Sequence, residues 1–291
     1  MPDKIIPDSK RDYTLKEAGA FCAGLAKTHY ENFSVVSWFL PKSLRQHFYN
    51  IYAFCRWSDD LADESESAEI ALKNLARWEE ELRGCYGGKT VHPVFIALKE
   101  TIKKFDLPME PFSDLIAAFR MDQEKNRYET FEELLSYCRG SANPVGRLIL
   151  YLGGYRDEER HKLSDCTCTA LQLANFWQDV WRDYLIGRIY IPREDLRRFG
   201  YSEGDLAKKT FNGNFRELIS FETERTRKMF EEGAKLPALL DGKIRKDVEL
   251  FGRGGLKILD RIEQQGYDVL CRRPALTKTD KTVLMLGRIF S

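Results

Sequence analysis

The sequence predicts an all-α fold in a single domain, on three observations. Apolar residues recur at helical spacing along almost the whole chain. The best strand candidate, Gly-Arg-Ile-Tyr-Ile-Pro at 187–192, is short, opens on glycine and closes on proline, so it reads as a loop. No period of 20–50 residues repeats, and no Gly/Ser/Pro linker or low-complexity stretch divides the 291 residues. One helical domain over 1–291 follows, with 1–12 expected to be a poorly ordered tail.

Helices are expected, with edges good to a few residues, over about 14–30, 42–65, 67–84, 93–105, 110–126, 130–150, 158–185, 212–234, 243–266 and 277–289. Thr14-Leu-Lys-Glu17 opens the first of these as a capping box, and Thr130-Phe-Glu-Glu133 opens the sixth. Pro144 falls inside the sixth. It has no N–H and its ring crowds the carbonyl four residues back, so the helix should kink or break there and free a carbonyl near 140. The last segment reads as a terminal helix packed on the core. It and the aromatic stretch near 30–40 are the two places where peripheral contact with a membrane is considered.

Composition narrows the function classes. With 46 basic and 45 acidic residues the net charge is +1, so no global field points to nucleic acid. Hydrophobic residues at 43% and charged residues at 31% suit a soluble globular protein. The opening MPDKIIPDSKRDYTLKEAG lacks the apolar core of a signal peptide, and no run approaches the roughly 20 apolar residues of a membrane span. Seven scattered cysteines read as reduced thiols of a cytoplasmic protein. Cys166 and Cys168 form a C-x-C without the second pair that a zinc site needs.

Two short stretches carry chemistry. In Gln-Leu-Ala-Asn-Phe-Trp-Gln-Asp-Val-Trp-Arg-Asp-Tyr, 172–184, Gln172, Asn175, Asp179 and Asp183 form one narrow polar stripe set in apolar residues. In Tyr-Ala-Phe-Cys-Arg-Trp-Ser-Asp-Asp-Leu-Ala-Asp-Glu, 52–64, Asp59 and Asp63 are again one turn apart, with Asp60 beside them. Like charges at i,i+4 destabilise a helix by a few tenths of a kcal/mol. The plain explanation is salt bridging, Arg56 with Asp59 and Arg182 with Asp179. The alternative is a divalent-metal site formed when the two helices face each other. Magnesium binds oxygen ligands and uses one or two carboxylates plus substrate phosphate. No histidine lies in either motif, and Glu158-x-x-His161 occurs only once, which argues against a di-iron site and for magnesium or manganese. Arg56 and Arg188 would supply a basic rim for a diphosphate. Tyr52, Tyr137 and Tyr190 are ordinary core or rim tyrosines, or they turn a hydroxyl or ring face toward a carbocation.

On these residues, together with Tyr-Cys-Arg-Gly-Ser-Ala-Asn-Pro-Val-Gly-Arg-Leu-Ile at 137–149 and the Arg188-Ile-Tyr-Ile-Pro192 tail, the chain resembles the squalene/phytoene synthase family over about 29–273. The resemblance implies one isoprenoid-synthase-type helical domain around a central cavity. It implies Asp59, Asp63, Asp179 and Asp183 as Mg²⁺-diphosphate ligands with Asp60 adjacent, Arg56 and Arg188 as diphosphate contacts, and Gln172 and Asn175 as polar groups of the cavity. The finer wording is similar to the hydroxysqualene-forming members of bacterial hopanoid biosynthesis. The family usually shows N-I-L-R-D where this chain has Asn175-Phe-Trp-Gln-Asp179, and V-A-G-x-V-G where it has Ser141-Ala-Asn-Pro-Val-Gly146. It often shows H-S-x-S-F where this chain has His29-Tyr-Glu-Asn-Phe33. His29 and Phe33 are then substrate contacts.

The expected reaction is ionisation of presqualene diphosphate and capture of the cation by water. Phe33, Tyr52, Tyr137 and Tyr190 would line the cation's wall, and Asn143, Asn175 or the released diphosphate would orient the water. No G-x-G-x-x-G follows a strand, and no NADPH is expected. The alternatives are head-to-head condensation of two farnesyl diphosphates and a non-catalytic helical assembly factor. The expected location is the cytoplasm, at the periphery of the inner membrane, with oligomeric state open.

Overall fold

The computed structural model describes residues 12–28, 40–242 and 244–286. Among these residues there is no strand. The first helix, α1 (Leu15–Thr28), opens on the expected box: the Thr14 N–H donates to the Glu17 carboxylate at 3.0 Å, and Thr14 Oγ1 accepts from the Glu17 N–H at 3.3 Å. Next come α2 (Lys42–Asp63) with the first acidic motif, α3 (Ala68–Tyr86) capped by Ser67, α4 (Pro93–Phe105) capped by His92, and α5 (Glu110–Met121).

The stretch read as one helix over 130–150 is two, α6 (Phe131–Ser141) and α7 (Asn143–Gly153). They part at Ala142, two residues before Pro144, as the ring's clash with the preceding turn requires. At the start of α6 only half of the expected box forms. Thr130 Oγ1 accepts from the Glu133 N–H at 3.2 Å, but the Glu133 carboxylate accepts from the Glu129 N–H instead, at 2.6 Å.

The second acidic motif lies in the C-terminal half of α8 (Glu158–Leu185). Residues 187–192 are loop, as expected. Two short helices follow that were not foreseen, α9 (Arg193–Arg198) and α10 (Glu203–Ala207). At 6 and 5 residues they are too short to display a period. A reciprocal Ser202–Asp205 box starts α10. Then come α11 (Gly213–Gly233), a 3-10 turn at Leu236–Leu239, α12 (Arg245–Gln264) and α13 (Lys278–Leu286).

These helices pack as two compact units. The first takes in the described residues up to Glu124 together with Pro144–Glu158. There α2 packs against α1, α3, α4 and α5. Its buried face carries Phe48, Ile51, Phe54, Ser58 and Leu61, and the Phe54 ring meets Phe112 at 5.0 Å and Trp78 at 5.9 Å. Burying that face turns Tyr52, Arg56, Asp59 and Asp63 to another side of the helix.

The second unit takes in Lys125–Asn143 and the described residues from Glu159 on. Trp177 is fully buried and donates from Nε1 to Thr226 Oγ1 at 2.8 Å, tying α8 to α11. Close approach needs glycine at two places. A Cβ at Gly233 would stand 2.2 Å from Thr167 Oγ1, and one at Gly255 would stand 2.2 Å from Phe230 Cζ. The C-terminal α13 packs on α12, with Leu284 buried and Asp280 held by Arg261 at 2.6 Å.

Residues 1–11, His29, Phe33 and most of the aromatic stretch at 30–40 lie outside the described residues. Among the described residues no helix is long and apolar enough to cross a membrane.

Candidate active site

The two acidic motifs fall in different units, each within its own surroundings. On α2 the salt-bridge expectation is met and extended. Arg56 Nη1 lies 3.2 Å from Asp59 Oδ2, and its Nη2 and Nε lie 2.7 and 2.9 Å from Asp60 Oδ1. Arg56, Asp59 and Asp60 are half-buried, and Asp63 is exposed. Burial works against the Arg56 charge, but Asp59 and Asp60 outweigh it and hold the guanidinium above its ordinary pKa. The neighbouring Cys55 thiol is pushed up to about 12, first by burial and then by Asp59. Tyr52 is half-buried one turn before Arg56.

On α8 the expected partner of Asp179 is joined by a closer one. Arg182 stands 3.5 Å away with two thirds of its side chain in solvent. Arg273, from the loop after α12, donates from Nε and Nη2 to the two Asp179 oxygens at 2.6 and 2.7 Å. Each of the two Asp179 oxygens therefore accepts one bond from a guanidinium fork. Gln178, one residue earlier, is 1% exposed and donates its amide to the Pro274 carbonyl. Neither Arg273 nor Gln178 figured among the expected site residues. The only signals in the sequence were a polar residue at a fully apolar position and an Arg-Arg-Pro at 272–274.

One turn on, the Asp183 carboxyl is pushed up to about 7. Burial is the main cause, Asp179 adds to it, and Arg188, Arg182 and Arg273 pull the other way. The Arg188 N–H donates to the Asp183 backbone carbonyl at 2.8 Å, which folds the Arg188-Ile-Tyr-Ile-Pro192 tail back along the helix end. Gln172, Asp179 and Asp183 are half-buried and Asn175 between them is exposed.

The tail supplies an aromatic wall. Tyr190 lies flat on Phe176 at 3.7 Å and 9°. Tyr137 meets Tyr190 at 5.9 Å and Phe176 at 6.2 Å, and Tyr128 stacks on Tyr190 at 5.8 Å. Phe176, Tyr190 and Asp183 line one small pocket with Val180, Ile189 and Ile191. A residue of the second motif and the stacked rings thus border one cavity of about 10 Å³, room for a single water. Asn143, at the break before α7, is buried, and its Oδ1 accepts from Thr169 Oγ1 on α8 at 2.8 Å. That bond ties the Asn143 side chain to α8.

The donor set fits a hard divalent cation. Its ligand atoms are all carboxylate oxygens, paired one turn apart, and each motif already holds an arginine as a stand-in cation. Among the described residues no three His, Cys, Asp or Glu side chains converge as a ready-made metal cluster.

The squalene/phytoene synthase model matches residues 26–280 of the chain. A phytoene synthase of Arthrospira platensis is 33% identical over 96% of this chain and 94% of its own. The solved structure of squalene synthase HpnC from Alicyclobacillus acidocaldarius is 45% identical, with a TM-score of 0.83 over 90% of this chain and 97% of that one. A dehydrosqualene synthase solved in complex with a ligand is 26% identical, with a TM-score of 0.86 over 94% and 95% of the two chains.

Proposed function

The chain belongs to the squalene/phytoene synthase family, and on that footing we propose that it ionises presqualene diphosphate and delivers water to the resulting cation. The products are hydroxysqualene and diphosphate. Water closes the balance, so no reductant is consumed and NADPH has no role. The observation that carries this reading is the wall of stacked rings, Phe176, Tyr190 and Tyr137, beside the second acidic motif. It sets a ring face able to stabilise positive charge beside a diphosphate-side acid.

A bound Mg²⁺ or Mn²⁺ supplies the charge that neutralises the departing diphosphate. Asp59 and Asp63 with Asp60 beside them on α2, and Asp179 and Asp183 on α8, are the carboxylates that would hold such ions. Arg56 and Arg188 add fixed positive charge where the diphosphate's negative charge builds up. Tyr190, Tyr137 and Phe176 present the ring faces and exclude bulk water, and Tyr52 on α2 is a further proposed contact of the cation. Gln172 and Asn175 are polar groups along the approach, and His29 and Phe33 are proposed substrate contacts. Asn143 orients the captured water, its side chain anchored by Thr169.

The rival is head-to-head condensation of two farnesyl diphosphates. The relatives' names, phytoene synthase and squalene synthase, favour it. Mass spectrometry of products from defined substrates separates the two. Presqualene diphosphate with Mg²⁺ and without NADPH is expected to yield the C30 alcohol. Conversion of farnesyl diphosphate alone to a C30 product, or squalene formed only when NADPH is added, overturns the water-capture reading.

A further inference from the structure

We propose that Arg273 is a resident counter-ion of Asp179 that a divalent cation must displace, so that metal binding on α8 is an exchange and not a filling of open ligands. The proposal rests on the metal reading above. Its evidence is local to the second unit. Arg273 Nε and Nη2 take both Asp179 oxygens at 2.6 and 2.7 Å from 94 residues away in the chain. The two side chains are 31% and 18% exposed, so water screens the pair only in part.

The loop that delivers Arg273 is built for the purpose. Gln178, adjacent to Asp179 on the same helix, holds the Pro274 carbonyl. Gln265 Nε2 holds the Arg272 carbonyl at 3.0 Å, and the Cys271 N–H donates to Asp268 Oδ1 at 3.0 Å. Val269 and Leu270 are each 2% exposed and anchor the segment. Pro274 further restricts the backbone of Arg273. One helix thus offers both the anchor and the target of the fork.

The consequence is thermodynamic. A cation that needs an Asp179 oxygen binds only the fraction of molecules in which Arg273 has let go, and its apparent affinity falls by that fraction. Release also leaves a guanidinium beside the bound ion, and like charges repel. The metal alone should therefore bind weakly, and more tightly when the fork is gone.

The test is a titration of the full chain with Mn²⁺, without any prenyl substrate, read by the electron paramagnetic resonance of free Mn²⁺. Arg273→Gln is expected to tighten binding by about tenfold. Arg273→Lys, which keeps the charge and loses the fork, should fall between, and it carries the test if the glutamine variant does not fold. Arg182→Gln, which touches Asp179 only weakly, should bind as the wild type does. Equal or weaker Mn²⁺ binding in a folded Arg273 variant overturns the exchange. No Mn²⁺ binding in any of the proteins, with Asp179→Asn indistinguishable from them, overturns the metal reading itself and the exchange with it.

Discussion

Asp59 and Asp179 each head an i,i+4 acidic pair, and asparagine keeps their size while removing the charge. The double variant Asp59→Asn with Asp179→Asn is expected to lose turnover by roughly a thousandfold, equivalent to about 4 kcal/mol of transition-state stabilisation. Its helicity by circular dichroism should stay near wild type, because neither carboxylate is part of the hydrophobic core. Retained turnover would make the two motifs structural. Asn143→Ala separates two roles of one side chain. Loss of the Thr169 partner should destabilise the fold by ~1–3 kcal/mol. Loss of the orienting amide should also move product from alcohol toward elimination. An unchanged alcohol fraction removes Asn143 from the water site and leaves it as an anchor at the helix break. At this scale legibility follows distance along the chain. Arg56 was readable as the partner of Asp59 because helical geometry puts residues three and four apart side by side. The same rule found Arg182, which does pair with Asp179 at 3.5 Å, but not the closer fork of Arg273, since nothing local announces an arginine 94 residues away.

Among the elements, α8, α11 and α12 depend on close approach. The Phe230 ring is 2% exposed, so it cannot swing away from a methyl group placed at Gly255. Gly255→Ala should therefore cost ~1–3 kcal/mol by overpacking and lower Tm by several degrees in thermal unfolding. Wild-type Tm would mean that the helices can separate without loss. Helix existence was largely legible, since long amphipathic periods report which face is buried. The boundary at Pro144 was legible for a steric reason. The hydrogen-bond partners at the start of α6 were not, because Glu129 competes with Thr130 for the Glu133 carboxylate. Neither α9 nor α10 could be read, as each is shorter than two turns.

For the molecule as a whole, one buried network sets a pH dependence. Glu222 is fully buried beside Asp195, and a single Arg225 serves both, at 2.5 and 2.9 Å. Burial is the main cause that pushes Glu222 up to about 8 from an ordinary 4.5, with Arg225 opposing and Asp195 adding. The folded protein then holds a proton that the unfolded chain gives up between those values. Stability is accordingly expected to fall as pH rises from about 4.5 to about 8. Glu222→Gln, neutral at every pH, should flatten that slope in urea melts at a series of pH values. An unchanged slope would assign it to other groups. By itself the sequence determined the all-helical class, the two acidic pairs and the break at Pro144, because each depends on residues within a turn or two. Only the tertiary structure decided that Arg273 holds Asp179, that Gln178 fastens the loop bearing it, and that Glu222 shares one arginine with Asp195. Those contacts join segments distant in the chain, and packing, not local spacing, brings them within hydrogen-bond reach.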